Sequence, residues 1–197
     1  RKRIMALGAT VYKANIALSD LDRNYYAEHV LTVARHPSET QTRLMLRILA
    51  FCLHAGEKLE FGRGLSTEGE PALWEIDDTG SIVSWIELGT PDVRTVRKAA
   101  GRSEHVTVLA YDEARIGPWW EANAGEMGKI LKLTVIAVKD AASEALDRMC
   151  ERNMKLAVTI QDGTIWVSSD ACNIQIDLDW LQRERGRIPS RTAFVAV

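Results

Sequence analysis

The chain has 197 residues, 46% hydrophobic and 26% charged, which is enough to bury one substantial core in a single ordinary globular domain. Its formal net charge of −2 and pI near 6.1 exclude a generally cationic surface that coats itself with nucleic acid, while leaving room for a local basic groove. No run approaches the roughly 20 apolar residues of a membrane span, and the start lacks a charged-then-apolar secretory pattern, so a soluble cytoplasmic protein with no membrane partner is expected.

Arg1 to Ile4 precede Met5, and the domain is read from residue 5 to residue 182. Ala6 to Ser19, with Val11, Ile16 and Leu18 among Thr, Tyr and Ala, reads as a strand, and Ala27 to Arg35 as a second that pairs with it. Between them Ser19 to Asn24 is turn chemistry. His36 to Gln41 opens the clearest helix: Ser38 is placed to cap it, Gln41 to close a capping box, and Leu44, Met45, Ile48, Leu49 and Cys52 recur at helical spacing until Gly56. His36 reads as a residue that positions the Pro37 turn.

Three strands follow at Leu59 to Gly62, Leu73 to Asp77 and Ile82 to Leu88, the last two joined by the Asp77 to Ser81 turn. A helix then starts at Thr90, with Pro91 at its first position, and ends near Gly101. His105 to Tyr111 reads as a buried strand, Gly117 to Gly128 as a helix or irregular segment, Leu131 to Val138 as a strand and Asp140 to Glu151 as a short helix. Met154 to Ile160 and Thr164 to Ser168 flank Gln161-Asp162-Gly163, a strong hairpin signal, and Ile174 to Leu178 adds a strand. Residues 183–197 read as a solvated or mobile tail. Cys52, Cys150 and Cys172 are odd in number, far apart and without Cys-x-x-Cys spacing, which fits a reducing compartment rather than disulfides or zinc.

The middle of the chain therefore reads helix, three strands, helix, strand. With a glutamate near the start of the first helix, an acid ahead of the hairpin and another at the end of its second strand, that order is similar to the PD-(D/E)XK nuclease-like core. More closely, His36-Pro37-Ser38-Glu39-Thr40, Glu70-Pro71-Ala72-Leu73-Trp74, Trp85-Ile86-Glu87-Leu88-Gly89 and Ile160-Gln161-Asp162-Gly163-Thr164-Ile165-Trp166 resemble the bacterial YaeQ family, over nearly the whole chain. The resemblance implies an α/β domain: a compact variant of that core whose mixed sheet is extended by N- and C-terminal strands. It implies a metal-dependent nuclease of unknown substrate, or an inactive nuclease-fold module that binds nucleic acid or a protein partner. Where the standard motif places lysine two residues after the second acid this chain has Gly89, and Lys98 in the next helix is the residue that would compensate.

On this reading Glu39, Glu70 and Glu87 are the metal ligands, since hard Mg²⁺ or Mn²⁺ takes carboxylate oxygens and activates water for phosphodiester attack. With the hairpin turning near Thr79 and Gly80, Ala72 faces Glu87, which places Glu70 at the same end of the sheet. Lys98 would orient or deprotonate the water, or else belongs to a solvated basic face. Glu39 has the alternative of capping its helix or pairing with Arg43. Arg43 and Arg47 would contact substrate phosphates, or else form ion pairs. Trp119-Trp120 would stack on bases, or else belong to the core.

Overall fold

The computed structural model describes residues 8–63 and 69–185. In chain order the strands and helices are β1 (Thr10–Asp20), β2 (Tyr25–Arg35), α1 (Gln41–His54), β3 (Leu59–Phe61), β4 (Leu73–Ile76) and β5 (Ile82–Leu88). Then come α2 (Val93–Ala100), β6 (Ser103–Ala110), α3 (Glu113–Met127), β7 (Leu133–Val138) and α4 (Asp140–Arg148), followed by β8 (Asn153–Gln161), β9 (Thr164–Ser168) and β10 (Asn173–Gln182). The expected middle, helix, three strands, helix, strand, is α1 through β6.

All ten strands join one sheet in the order β2-β1-β8-β9-β10-β7-β6-β5-β4-β3. The strand that makes it continuous is β10. Asn173 to Asp177 pair antiparallel with β9, and Leu178 onward pairs antiparallel with β7. The β5-β6-β7 segment is parallel, with connections through α2 and α3. The β8–β9 turn has positive φ at both Asp162 and Gly163, the geometry that Asp-Gly tolerates best in a two-residue hairpin. The Asp22 carboxylate, from the β1–β2 turn, accepts both of their backbone N–H groups at 2.7 and 2.9 Å, locking the two hairpins together.

Helix α1 is the centre of the larger core. Every residue from Leu44 to Cys52 is buried, the pattern of a helix enclosed on all sides rather than laid on a surface. It packs against inward residues of both halves of the sheet: Ile16, Leu156 and Val167 on one side, Leu73, Ile86 and Ile136 on the other. The two edge strands both return to it. His29 of β2 meets Phe51 of α1 edge-on at 5.0 Å, and Phe61 of β3 stacks on the same ring at 5.6 Å. Phe51 thus closes the gap between the sheet's ends. A second core lies across β5-β6-β7 from α1, where Val96 and Ala99 of α2 and Met127 of α3 cover Trp85, Val106 and Val135.

Several boundaries differ from expectation for local reasons. Thr40, not Ser38, caps α1, its hydroxyl accepting the Arg43 N–H at 3.1 Å. Ser38 is occupied with His36 Nδ1 at 2.6 Å, so His36 does hold the turn, and the Gln41 amide donates to Asp147 O rather than closing a capping box. Asp92 caps α2 through Thr95 N, leaving Pro91 outside the helix with its carbonyl bound to Trp119 Nε1 at 2.7 Å. Trp119 and Trp120 pack on the second core, the core reading of that pair. α3 begins at Glu113, four residues before the expected start at Gly117, and carries Pro118 inside it.

β10 runs to Gln182, and the residues after it are tied down. Gln182 Nε2 donates to the carbonyls of Met127, Ile130 and Leu133, Glu184 meets His105 Nδ1 at 2.8 Å, and Arg185 N donates to Leu131 O. The body therefore reaches at least Arg185, and the remainder of the expected tail, 186–197, lies outside the described residues. Among the described residues no helix is long and apolar enough to cross a membrane.

Because Phe51 joins both sheet edges to the central helix, Phe51→Ala is expected to cost about 3–5 kcal/mol of stability, read by urea denaturation. A loss below about 1 kcal/mol, the ordinary value for a substitution away from the core, would contradict the closure.

Candidate functional site

The parallel pair β5–β6 ends beside the turn into α2, and the carboxyl ends of parallel strands are where an open α/β sheet offers a crevice. Glu87 is the penultimate residue of β5. Its side chain lies on the same face as that of Trp85, two residues back, and Trp85 Nε1 donates to Glu87 Oε1 at 2.8 Å. Burial raises the Glu87 pKa above the ordinary carboxyl value, while the Trp85 hydrogen bond and the Arg43 charge pull it back.

Leu73 pairs with Ile86, and Ala72 N donates to Ile86 O at 3.0 Å, so Ala72 stands opposite Glu87 as the hairpin register required. Glu70 follows at that end of the sheet. Its carboxylate accepts the Arg63 N–H at 3.1 Å and lies 3.5 Å from Arg63 Nε. Gly62 passes so close to this segment that an added Cβ would lie 2.0 Å from Pro71 O, so glycine is a packing requirement there.

Glu39 precedes the Thr40 cap instead of lying in the first helical turn. Both of its oxygens are taken: Oε1 by Arg43 Nη1 at 2.8 Å and Oε2 by Arg47 Nη2 at 2.9 Å. Arg47 Nη2 also donates to Ala34 O at 2.7 Å, and its guanidinium lies over the Phe61 ring. The Arg47 side chain is 2% exposed and that of Glu39 0%. Burial depresses the Arg47 pKa, and the Glu39 carboxylate opposes that shift. Arg47 Nε, also buried, has no partner among the described residues, so the Glu39 carboxylate is the main compensation for this charge.

Arg43 is the electrostatic hinge of the group. Its charge acts on Glu87 and on Tyr111, whose hydroxyl is pushed above its usual pKa chiefly by burial. Tyr111 follows the last residue of β6 and lies against Gly89, 3.8 Å from where a Cβ would project. Asp112, next in the chain, takes φ +73°, a strained value for a non-glycine residue, and leads directly into α3. Tyr111 and Trp85 are members of the site that sequence reasoning did not single out. The available signal was register: β5 and β6 pair in parallel, so the residues after Ala110 stand beside those after Leu88.

Gly89 has φ +98°, a conformation that disfavours any side chain, so the backbone itself resists a lysine at the motif position. Lys98 is exposed in the last turn of α2. Six residues beyond the Asp92 cap it stands about 9 Å further along the helix axis, toward the start of β6 and away from Glu87's end. Glu39, Arg43 and Arg47 are in direct contact, the Arg43 charge reaches Glu87 and Tyr111, and Lys98 stands apart. Among the described residues no three His, Cys, Asp or Glu side chains group in a way that would hold a metal ion.

The family model described as YaeQ protein matches residues 5–178 of this chain. The uncharacterized protein YaeQ of Salmonella typhi is 44% identical over 179 residues, covering 90% of this chain and 99% of the relative, and that of Escherichia coli K12 is 42% identical over the same coverage. The crystal structure of the YaeQ protein from Xanthomonas axonopodis pv. citri superposes with a TM-score of 0.87 at 45% identity, over 88% of this chain and 98% of that one. The YaeQ protein from Pseudomonas syringae gives 0.85 at 37% identity, over 90% and 98%.

The pKa of Glu87 sets a pH dependence. Its folded pKa is raised above the unfolded value near 4.5, so its contribution to stability is full below that value and is lost as pH rises through the folded pKa. Glu87→Gln, which keeps an acceptor for Trp85 Nε1, is expected to raise the melting temperature at pH 7, with the gain vanishing by pH 4. A thermal melt series that shows destabilisation at pH 7 would mean that a partner holds the ionised form.

Proposed function

The chain belongs to the YaeQ family, and from that premise we propose that it is a binding module on a PD-(D/E)XK-type core in which phosphodiester hydrolysis has lapsed. The observation that carries the reading is the double clamp on Glu39, whose two carboxylate oxygens are both held by arginines and whose side chain is fully buried. A carboxylate so held is not available to a metal ion without leaving Arg47 charged and unpaired in the core, a loss of about 3–5 kcal/mol. The other missing part is the motif lysine, resisted by the Gly89 backbone and displaced from the site at Lys98.

The same clamp argues for a protein partner over nucleic acid. Arg47 is enclosed and Arg43 is engaged by Glu39, so neither is presented as a free phosphate contact. The three cysteines are all free thiols, which agrees with work in the cytoplasm.

One observation favours a second reading, the Mg²⁺- or Mn²⁺-dependent nuclease. Glu87 is a desolvated carboxylate of perturbed pKa at the carboxyl end of a parallel pair, and such groups concentrate at functional sites. In that reading Glu87 and Glu70 hold the ion and the substrate is DNA or RNA.

Cleavage of single- and double-stranded DNA and RNA, in Mg²⁺ and in Mn²⁺, decides between them when wild type and Glu87→Gln are purified identically. The binding-module reading expects no cleavage, or a background that Glu87→Gln leaves untouched. Cleavage that needs the metal and disappears in the variant would overturn it and establish the nuclease.

A further inference from the structure

The β2-β1-β8-β9 end of the sheet has one face on the α1 core and the other in solvent, and the solvent face is unusually apolar. Of the seven large hydrophobic side chains exposed among the described residues, Val11, Tyr26, Val30 and Trp166 all lie on it, with Val30 79% exposed. Scattered apolar residues need no explanation, but concentration on one face marks an interaction surface. The face is also uneven. Ala17 pairs with Ala157 across β1 and β8, and these small residues line a cleft of about 480 Å³ with Val30, Glu28, Lys155 and Asp170 at its sides.

We propose that this face is the surface through which two copies of the chain associate, packing the β2-β1-β8-β9 sheets against one another about a two-fold axis. The inference names a partner for the binding module proposed above and rests on that reading. A two-fold interface must be complementary to itself, and two properties of the face meet that requirement. Val30, 79% exposed, lies at another corner of the patch that carries Glu28 and Lys155, so a two-fold axis that exchanges those charges brings the two Val30 side chains together, apolar on apolar. Charge follows the same rule.

Glu28 of β2 pairs in register with Ala17 of β1, and Lys155 of β8 with Asn15 of β1, so the two charges lie diagonally across β1, two strand spacings and two residues apart, roughly 12 Å. Neither makes an ion pair or hydrogen bond within the described chain. An axis passing between Asn15 and Ala17 sets Glu28 of one copy over Lys155 of the other, twice. The mixed signs, Glu28 and Asp170 against Lys13 and Lys155, fit a mixed-charge protein surface and disfavour a polyanion.

Sedimentation velocity over a wide range of concentration, which reads mass and not cleavage, tests this independently of the nuclease comparison. The expected result is a concentration-dependent monomer–dimer equilibrium that Val30→Glu abolishes while the melting temperature of the monomer stays unchanged. Glu28→Lys and Lys155→Glu each bring like charges together across the axis and should weaken dimerisation about tenfold or more, whereas the double variant should restore it. A monomer at every concentration overturns the proposal. So does a dimer indifferent to Val30→Glu, or one in which the double exchange is no better than either single exchange.

Discussion

Arg47 stands in the middle of a helix whose other residues from Leu44 to Cys52 are all apolar and buried, and its charge has to be balanced where it lies. Taking a guanidinium out of water costs several kcal/mol, and only close, well-directed partners offset that. The partners come from three places in the chain. Glu39 reaches it from the approach to α1, the Ala34 carbonyl from the end of β2, and the Phe61 ring from β3. One side chain therefore joins the central helix to the first and last strands of the sheet order, beside Phe51, which makes the same connection through apolar contact. The ionic and the aromatic link are neighbours because both fill the gap that a ten-stranded sheet leaves between its edges.

This constraint shapes the candidate site. The position of Glu39 is dictated by the need to neutralise Arg47, and Arg43 is drawn into the same group one turn earlier in the helix. Arg43 then carries the influence outward to Glu87 and Tyr111 at the ends of β5 and β6. Glu39 and the two arginines form one hydrogen-bonded group, and the charge of Arg43 bears on the desolvated Glu87 and on Tyr111. Gly89, whose positive φ is part of how β5 turns toward α2, disfavours a lysine side chain at that position.

Much of this was legible in the residues. Period-two alternation and Asp-Gly at Asp162-Gly163 located the strands of the second hairpin, and Ile82 to Leu88 was bounded without error because polar turn residues precede it and Gly89 follows it. The hairpin register, and with it Ala72 opposite Glu87, followed from the turn position alone. Capping was read less well. Ser38 and Pro91 are the stronger signals in isolation, but His36 occupies the Ser38 hydroxyl, and the hydrogen bond from Trp119 to the Pro91 carbonyl belongs to a contact between elements. The last turns of β10 were hidden for a similar reason: Gln182 and Glu184 look like solvent residues until their partners on β6, α3 and β7 are known. Arg47 was the hardest. A charge in an amphipathic pattern reads as the outer face of a helix, and only the wrapping of the sheet around α1 reverses that.

Coupling between Glu39 and Arg47 is the most direct test, measured as a double-mutant cycle of Glu39→Gln and Arg47→Met by urea denaturation. If the pair neutralises a buried charge that ties the fold together, each single variant loses about 3–5 kcal/mol, because each strands the remaining group. The double variant then loses far less than the sum, with a coupling energy near the upper end of the roughly 0.5–3 kcal/mol range seen for contacting residues. Additive losses of under about 1 kcal/mol each, the behaviour of a solvated surface pair, would contradict it and return Glu39 to the set of carboxylates free to bind a metal.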